Sequence, residues 1–216
     1  MKLSDRAVRF GLKPVVLLAS LGPFFYLLWA ALTGNLSANP LSDLTNETGV
    51  WTLRFLCFTL AITPLRKLTG QLWLIGLRRM IGLFAFSYGC LHFLTYIWLD
   101  QGFNIHSMTK DVYKRPFITL GFTAFVLLIP LAVTSTRKMI QRLGGRHWQW
   151  LHRLIYVSAT AAIVHFTWAM KKDIHRPIEY GIVLAILLGY RVVAWARASA
   201  RSQPKRVPEV TGIAAD

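Results

Sequence analysis

The stretch WQWLHRLIYVSATAAIVHFTWAM, Trp148 to Met170, decides how this chain folds. It is long and apolar enough to cross the hydrocarbon core of a bilayer as one helix. Yet it carries two histidines, His152 and His165. Outward from it, a third histidine, His92, lies in another apolar run, Met80 to Leu99. Ionisable side chains at membrane depth are costly, and they mark functional positions. Imidazole is also a common axial ligand of heme iron. The pattern describes a small membrane cytochrome built around these histidines.

The composition agrees with a membrane location. Of 216 residues, 54% are apolar, and the mean hydropathy is +0.43. Repeated apolar runs of about 20 residues exclude an ordinary soluble domain. The fold class expected is an all-α integral membrane protein, a six-helix transmembrane bundle. Its spans are Val15–Leu32, Val50–Leu65, Met80–Leu99, Pro116–Thr136, Trp148–Met170 and Ile178–Ala196. The expected organisation is a basic N-terminus over 1–14, a six-span domain over 15–196 and a basic, disordered tail over 197–216. Arg191, in the sixth span, is expected to snorkel to the interface.

The formal net charge of +16 does not describe a nucleic-acid binder, because Lys and Arg fall in short clusters between apolar runs. Seventeen of them lie on one side, in the N-terminus, the second and fourth connections and the C-terminal part. Six lie on the other, including Lys171 and Lys172. This asymmetry places both termini in the cytoplasm. Trp29, Trp51, Trp98, Trp148, Trp150, Trp168 and Trp195 fall near span ends, as an interfacial aromatic belt requires.

Other chemistries find no support. Cys57 and Cys90 stand alone inside apolar runs, with no metal-ligand spacing. No phosphate-binding glycine loop, zinc-protease helix or repeat occurs. Lys2, Arg6, Arg9 and Lys13 precede an apolar stretch longer than a signal sequence requires, so a retained first helix is expected. Thr136 to Gly145 reads as a basic interfacial helix closed by Gly144-Gly145.

Depth sorts the histidines. Spans three and five run in the same direction, so His92 and His165 both fall in the outer half of the bilayer. His152 lies near the inner face, roughly 20 Å from His165 at ~1.5 Å per residue. His92 and His165 are thus the pair placed to clamp one heme from two helices. Filling both axial positions suits electron transfer. His152 could hold a second heme with an unusual partner, contact a flavin, or take a proton from quinol. Its ring lies about 140° around an ideal helix from His165, so a shared channel needs a local distortion. Arg78 and Arg79 stand at the inner end of span three, as topology determinants or as partners for heme propionates, flavin phosphate or anionic lipid. Gly82 and Gly89 lie on nearly one face and could admit a flat macrocycle or simply a neighbouring helix.

Several segments resemble one family: ITPLRKL from Ile62, RRMIGL from Arg78, LHFLTY from Leu91, RPFITLG from Arg115 and TSTRKMIQRLGGRHWQWLHRLIY from Thr134. Together they are similar to the MsrQ (YedZ) family, within the ferric-reductase-like transmembrane group that also holds NADPH oxidases and STEAP reductases. The resemblance runs from about Leu12 to Arg197. It implies b-type heme and FMN as cofactors, with the family's histidines at His92, His152 and His165. It implies a subunit of the bacterial inner membrane that takes electrons from the quinone pool or a cytoplasmic flavin reductase. The implied acceptor is a periplasmic molybdopterin-containing, MsrP-like methionine sulfoxide reductase that repairs oxidised periplasmic proteins. The fourth histidine position of NADPH oxidases falls here at Arg78, so the single outer heme of STEAP proteins is the closer analogue.

The chain is expected to carry no nucleotide-binding domain after span six, so donor and acceptor are separate molecules. Two rivals remain at this stage. One is a membrane ferric or metal reductase. The other is a non-enzymatic membrane protein whose histidines are structural.

Overall fold

The computed structural model describes residues 5–170 and 174–201. Lys2, Lys171, Lys172 and the expected tail beyond residue 201 lie outside the described residues. Those described form helices and short connections, with no strand among them.

Helix α1 is Lys13–Thr33, entered through a π-helical turn at Val8–Leu12. Helix α2, Pro40–Thr69, begins ten residues before its expected apolar start at Val50. Asn39 supplies the reason. Its side-chain oxygen accepts from the Ser42 backbone N–H at 3.2 Å, and Pro40 takes the first helical position. Gly70, at φ +69°, ends the helix in a left-handed turn that suits glycine.

Helix α3, Leu74–Leu94, continues as π-helix over Thr95–Asp100. Arg78 and Arg79 therefore sit on the helix itself, not in the connection before it. Helix α4, Ile105–Lys114, is a short amphipathic segment capped by Asn104, which leads into α5, Pro116–Val133.

Next come α6, Arg137–Leu143, capped by Thr136, and α7, Gly145–Leu151. The stretch Trp148–Met170 is not one helix. The chain turns tightly at His152 and Arg153 before α8, Leu154–Ala169. Helix α9 is His175–Arg201. Five helices are long and apolar enough to cross a membrane; α8, with sixteen residues, is shorter.

Helix α2 is the central element. Over half of its most apolar window is buried inside the protein, far more than in the other four. Phe55, Leu56 and Leu60 of α2 join Ala85 and Tyr88 of α3, Leu128 of α5 and Ala159 of α8 in one core. Helix α2 packs along α3, and α5 packs along α8. Helix α3 also meets α5, and α2 meets α8. These four helices enclose the interior. Helix α9 lies outside, against α2 and α8, and presents Ile182, Ile186 and Trp195 outward. In a membrane, that apolar exterior faces lipid.

Helix α1 is joined to α3 by one side chain. Ser20 C=O and Phe24 N–H are the pair that bond each other in an unbroken helix. Between them sits the buried Tyr88 hydroxyl, donating to Ser20 O at 2.9 Å and accepting from Phe24 N at 2.9 Å. Pro23 stands beside this insertion and has no N–H of its own to give.

A paired-histidine cavity as the candidate cofactor site

The four enclosing helices leave an interior cavity of about 440 Å³, within the usual range for small-molecule sites. Its deep wall is apolar, including Leu53, Leu56, Leu128 and Phe125. Two imidazoles enter it, His92 from α3 and His165 from α8, with ring centroids 6.0 Å apart at 72°.

Each ring is fixed by a backbone carbonyl of the helix beside it. His92 Nδ1 lies 2.9 Å from Thr45 O on α2. His165 Nδ1 lies 2.7 Å from Phe117 O on α5. A carbonyl oxygen can only accept, so both Nδ1 atoms must donate. In the neutral ring, Nε2 then holds the lone pair. This is the arrangement that orients metal-ligating histidines.

Two glycines make room for the rings. A β-carbon on Gly121 of α5 would stand 2.7 Å from His165 Nδ1, and one on Gly49 of α2 would stand 3.0 Å from His92 Cε1. Each histidine thus packs on a bare stretch of neighbouring backbone. Neither glycine stood out in the sequence. The available signal was depth: Gly121 lies five residues into α5 and His165 five residues before Met170 on its antiparallel neighbour. Gly82 and Gly89 play smaller parts. β-Carbons there would meet Thr59 and Phe125 at 3.6 and 3.5 Å, which is ordinary contact.

Among the described residues, no three His, Cys, Asp or Glu side chains gather as a metal site. Two imidazoles alone leave most of a metal's coordination open. An ion held here would take its remaining ligands from outside these side chains, as a prosthetic group supplies them. Two imidazoles facing across one metal, with N–metal bonds of about 2 Å, have centroids about 6 Å apart. The observed separation fits.

His152 stands apart from the pair. It lies at the turn between α7 and α8, stacked on Trp148 with centroids 4.0 Å apart. Its Nε2 is 3.1 Å from Thr134 Oγ1. The single Thr134 hydroxyl proton goes to Pro130 O at 2.6 Å, so the hydroxyl accepts from His152 Nε2–H. His152 therefore keeps its lone pair on Nδ1, the opposite tautomer from His92 and His165. The turn also removes the expected continuous 140° relation between His152 and His165. Both rings reach α5 or its end, His165 at Phe117 and His152 at Thr134.

Arg78 shares the His152 end of the bundle, within electrostatic reach of His152, Tyr156, Arg66 and Arg191. Arg79, next along α3, is exposed. Arg191, expected to reach toward the interface, is engaged within the bundle. It donates to Leu60 O at 2.6 Å and lies 5.3 Å over the Tyr156 ring. Arg78 to His92 spans fourteen residues of α3, about 21 Å at 1.5 Å per residue, so these cations do not touch the paired histidines.

A multi-pass helical domain with a half-buried histidine pair facing one cavity is consistent with a transmembrane redox protein. In agreement, the family described as ferric reductase like transmembrane component matches residues 48–163, a range that includes His92 and His152 and ends two residues before His165. Relatives extend the match over most of the chain. A protein of Herminiimonas arsenicoxydans is 56% identical over 191 residues, covering 87% of this chain and 88% of its own. One from Ralstonia nicotianae is 54% identical, covering 88% and 86%. One from Azospira oryzae is 47% identical over 210 residues, covering 95% and 90%. Each is named protein-methionine-sulfoxide reductase heme-binding subunit MsrQ. The chain belongs to the MsrQ family.

Proposed function

We propose that this protein is a heme-bearing electron-transfer subunit of the bacterial inner membrane. The multi-pass helical fold and the ferric-reductase-like domain support a role in membrane electron transfer. The observation that carries the assignment is the pair His92 and His165, each with Nδ1 held by a carbonyl and Nε2 left basic, 6.0 Å apart in one cavity.

The residues present fit a b-type heme. His92 and His165 would supply the nitrogens that hold the iron, Gly49 and Gly121 give the rings their place, and Leu53, Leu56 and Leu128 would lie against the apolar body of the macrocycle. The bound iron would supply a centre that alternates between ferric and ferrous and so carries single electrons. The chain itself fixes the two rings and lines the deep part of the site with apolar side chains.

The other end of the bundle is assigned to electron entry. His152, with its basic Nδ1, and the cations Arg78 and Arg79 would meet the donor there: the quinone pool or a cytoplasmic flavin reductase. FMN is placed at this end in the same reading, its phosphate matched to the arginines. On the periplasmic side, the acceptor would be an MsrP-like molybdopterin methionine sulfoxide reductase, serving repair of oxidised periplasmic proteins. Both termini are placed in the cytoplasm.

The test is an absorption spectrum of purified protein with pyridine-hemochrome quantification, in wild type, His92→Ala, His165→Ala and His152→Ala. Loss of heme in the first two variants and retention in the third is expected. Colourless wild-type protein from heme-sufficient cells would overturn the proposal. Reduction of metal ions without any partner protein would turn it toward a ferric reductase.

A further inference from the structure

The paired-histidine cavity is not uniform along its length. Pro116 to Leu128 spans twelve residues of α5, about 18 Å at 1.5 Å per residue. At the Leu128 end the wall is largely apolar, with Leu53, Leu56 and Leu128, and the Ser158 hydroxyl there is already committed to Ala124 O at 2.8 Å. At the other end it is polar: Asn46 of α2, Tyr96 and Asp100 beyond α3, and Arg115 at the start of α5. Arg115 supplies the cationic side chain in this wall.

Two details of this mouth call for a ligand. The Tyr96 hydroxyl is buried without a hydrogen-bond partner. A buried hydroxyl left unpaired costs free energy, so such groups normally have partners. Arg115 is held side-on: its Nε lies 3.4 Å from Asp111 Oδ1, while its side chain remains about half exposed. That contact uses one face of the guanidinium. The two Nη groups stay in the fork geometry that takes a carboxylate end-on. The nearby acids are themselves engaged, since Gln101 Nε2 donates to Asp100 Oδ2 at 2.7 Å and to Asp111 Oδ2 at 3.2 Å.

A b-type macrocycle carries its two carboxylates on one edge. Those carboxylates cannot lie against Leu53, Leu56 and Leu128, because burying an unpaired ion is prohibitive. Only the orientation toward the mouth brings that edge to a cationic side chain. We infer that Arg115, with the Tyr96 hydroxyl, is the anchor for the macrocycle's carboxylate edge, and so fixes which way the heme stands between His92 and His165. This rests on the heme reading above. It assigns Arg115 and Tyr96 as positioning residues, distinct from the axial ligands.

The discriminating experiment compares native heme with its dimethyl ester, in which both carboxylates are masked. Full-length protein is loaded with either compound in nanodiscs. Dissociation to a heme-scavenging apoprotein is then timed for wild type, Arg115→Gln, Arg115→Lys and Tyr96→Phe. Native heme should leave Arg115→Gln about tenfold faster, the scale of one charge-assisted hydrogen-bonded pair. Arg115→Lys should recover part of this, and Tyr96→Phe should show a smaller acceleration. With the ester, wild type and both Arg115 variants should lose the ligand at one rate. An Arg115→Gln effect of equal size on native and esterified heme would mean that Arg115 only supports the fold, and would overturn the inference. So would no effect on either compound. If His92→Ala and His165→Ala retain heme like wild type, the heme reading fails first, whatever Arg115 does.

Discussion

At the scale of single residues, two carbonyl oxygens and two absent β-carbons set the chemistry. Thr45 O and Phe117 O choose the tautomers of His92 and His165, and Gly49 and Gly121 let the rings lie against backbone. The glycines should therefore be sensitive positions beside the histidines. Gly121→Ala is expected to weaken heme binding by roughly 1–3 kcal/mol, the cost of overpacking a tight site. Gly49→Ala should have a milder effect, and Gly82→Ala should leave heme per chain unchanged. Pyridine-hemochrome content and the sharpness of the Soret band read all three. Thr134→Val should cost about 1 kcal/mol of stability by removing the partner of His152. It should leave the spectrum of a heme held by His92 and His165 as it is, because Thr134 contacts His152 and Trp148 rather than the pair. The histidines were legible from sequence because an ionisable group at membrane depth demands a reason. The glycines were not, since a lone glycine in an apolar helix looks the same whether it meets a leucine or an imidazole.

At the scale of elements, hydropathy located the helices but misjudged their ends. The first turns of α2, LSDLTNETG, are polar and read as a connection. Their signal was the cap: Asn39 followed by Pro40 starts a helix as readily as it makes a turn. Those polar turns matter, for they bring Thr45 and Asn46 to the cavity. The stretch Trp148–Met170 erred the other way, joining two helices across a turn. The bonds that fix this turn run to Thr134, fourteen and eighteen residues earlier, and no local pattern reveals them. The α1–α3 junction is also non-local. Tyr88→Phe leaves Ser20 O and Phe24 N without their intermediary, and is expected to lower stability by about 1–3 kcal/mol. A thermal melt in micelles checks this. Recovery of full stability would show that α1 closes its own ladder there.

At the scale of the whole molecule, the sequence yields the all-helical membrane class but not which helices adjoin. The pairings of α2 with α3 and α5 with α8 create the site, and they depend on packing across distant stretches. The charge asymmetry makes a separate statement about orientation. If both termini are cytoplasmic, α8 with its short entry through α7 must complete a sixth crossing. A C-terminal green fluorescent protein fusion should then fluoresce, and a C-terminal alkaline phosphatase fusion should be inactive. Active phosphatase would place the C-terminus outside the cytoplasm and, with a cytoplasmic N-terminus, would mean an odd number of crossings.

The Tyr88 insertion also bears on the order in which the chain is built. Residues 20 and 24 are synthesised well before residue 88. The first helix thus enters the bilayer with a backbone pair that its final fold assigns to a side chain not yet made. Until α3 arrives, that pair must bond within the helix or to water. The arrival of Tyr88 therefore exchanges one bonding pattern for another. Docking of α1 is in this sense a checkpoint: it can finish only after the helix that carries His92 has taken its place.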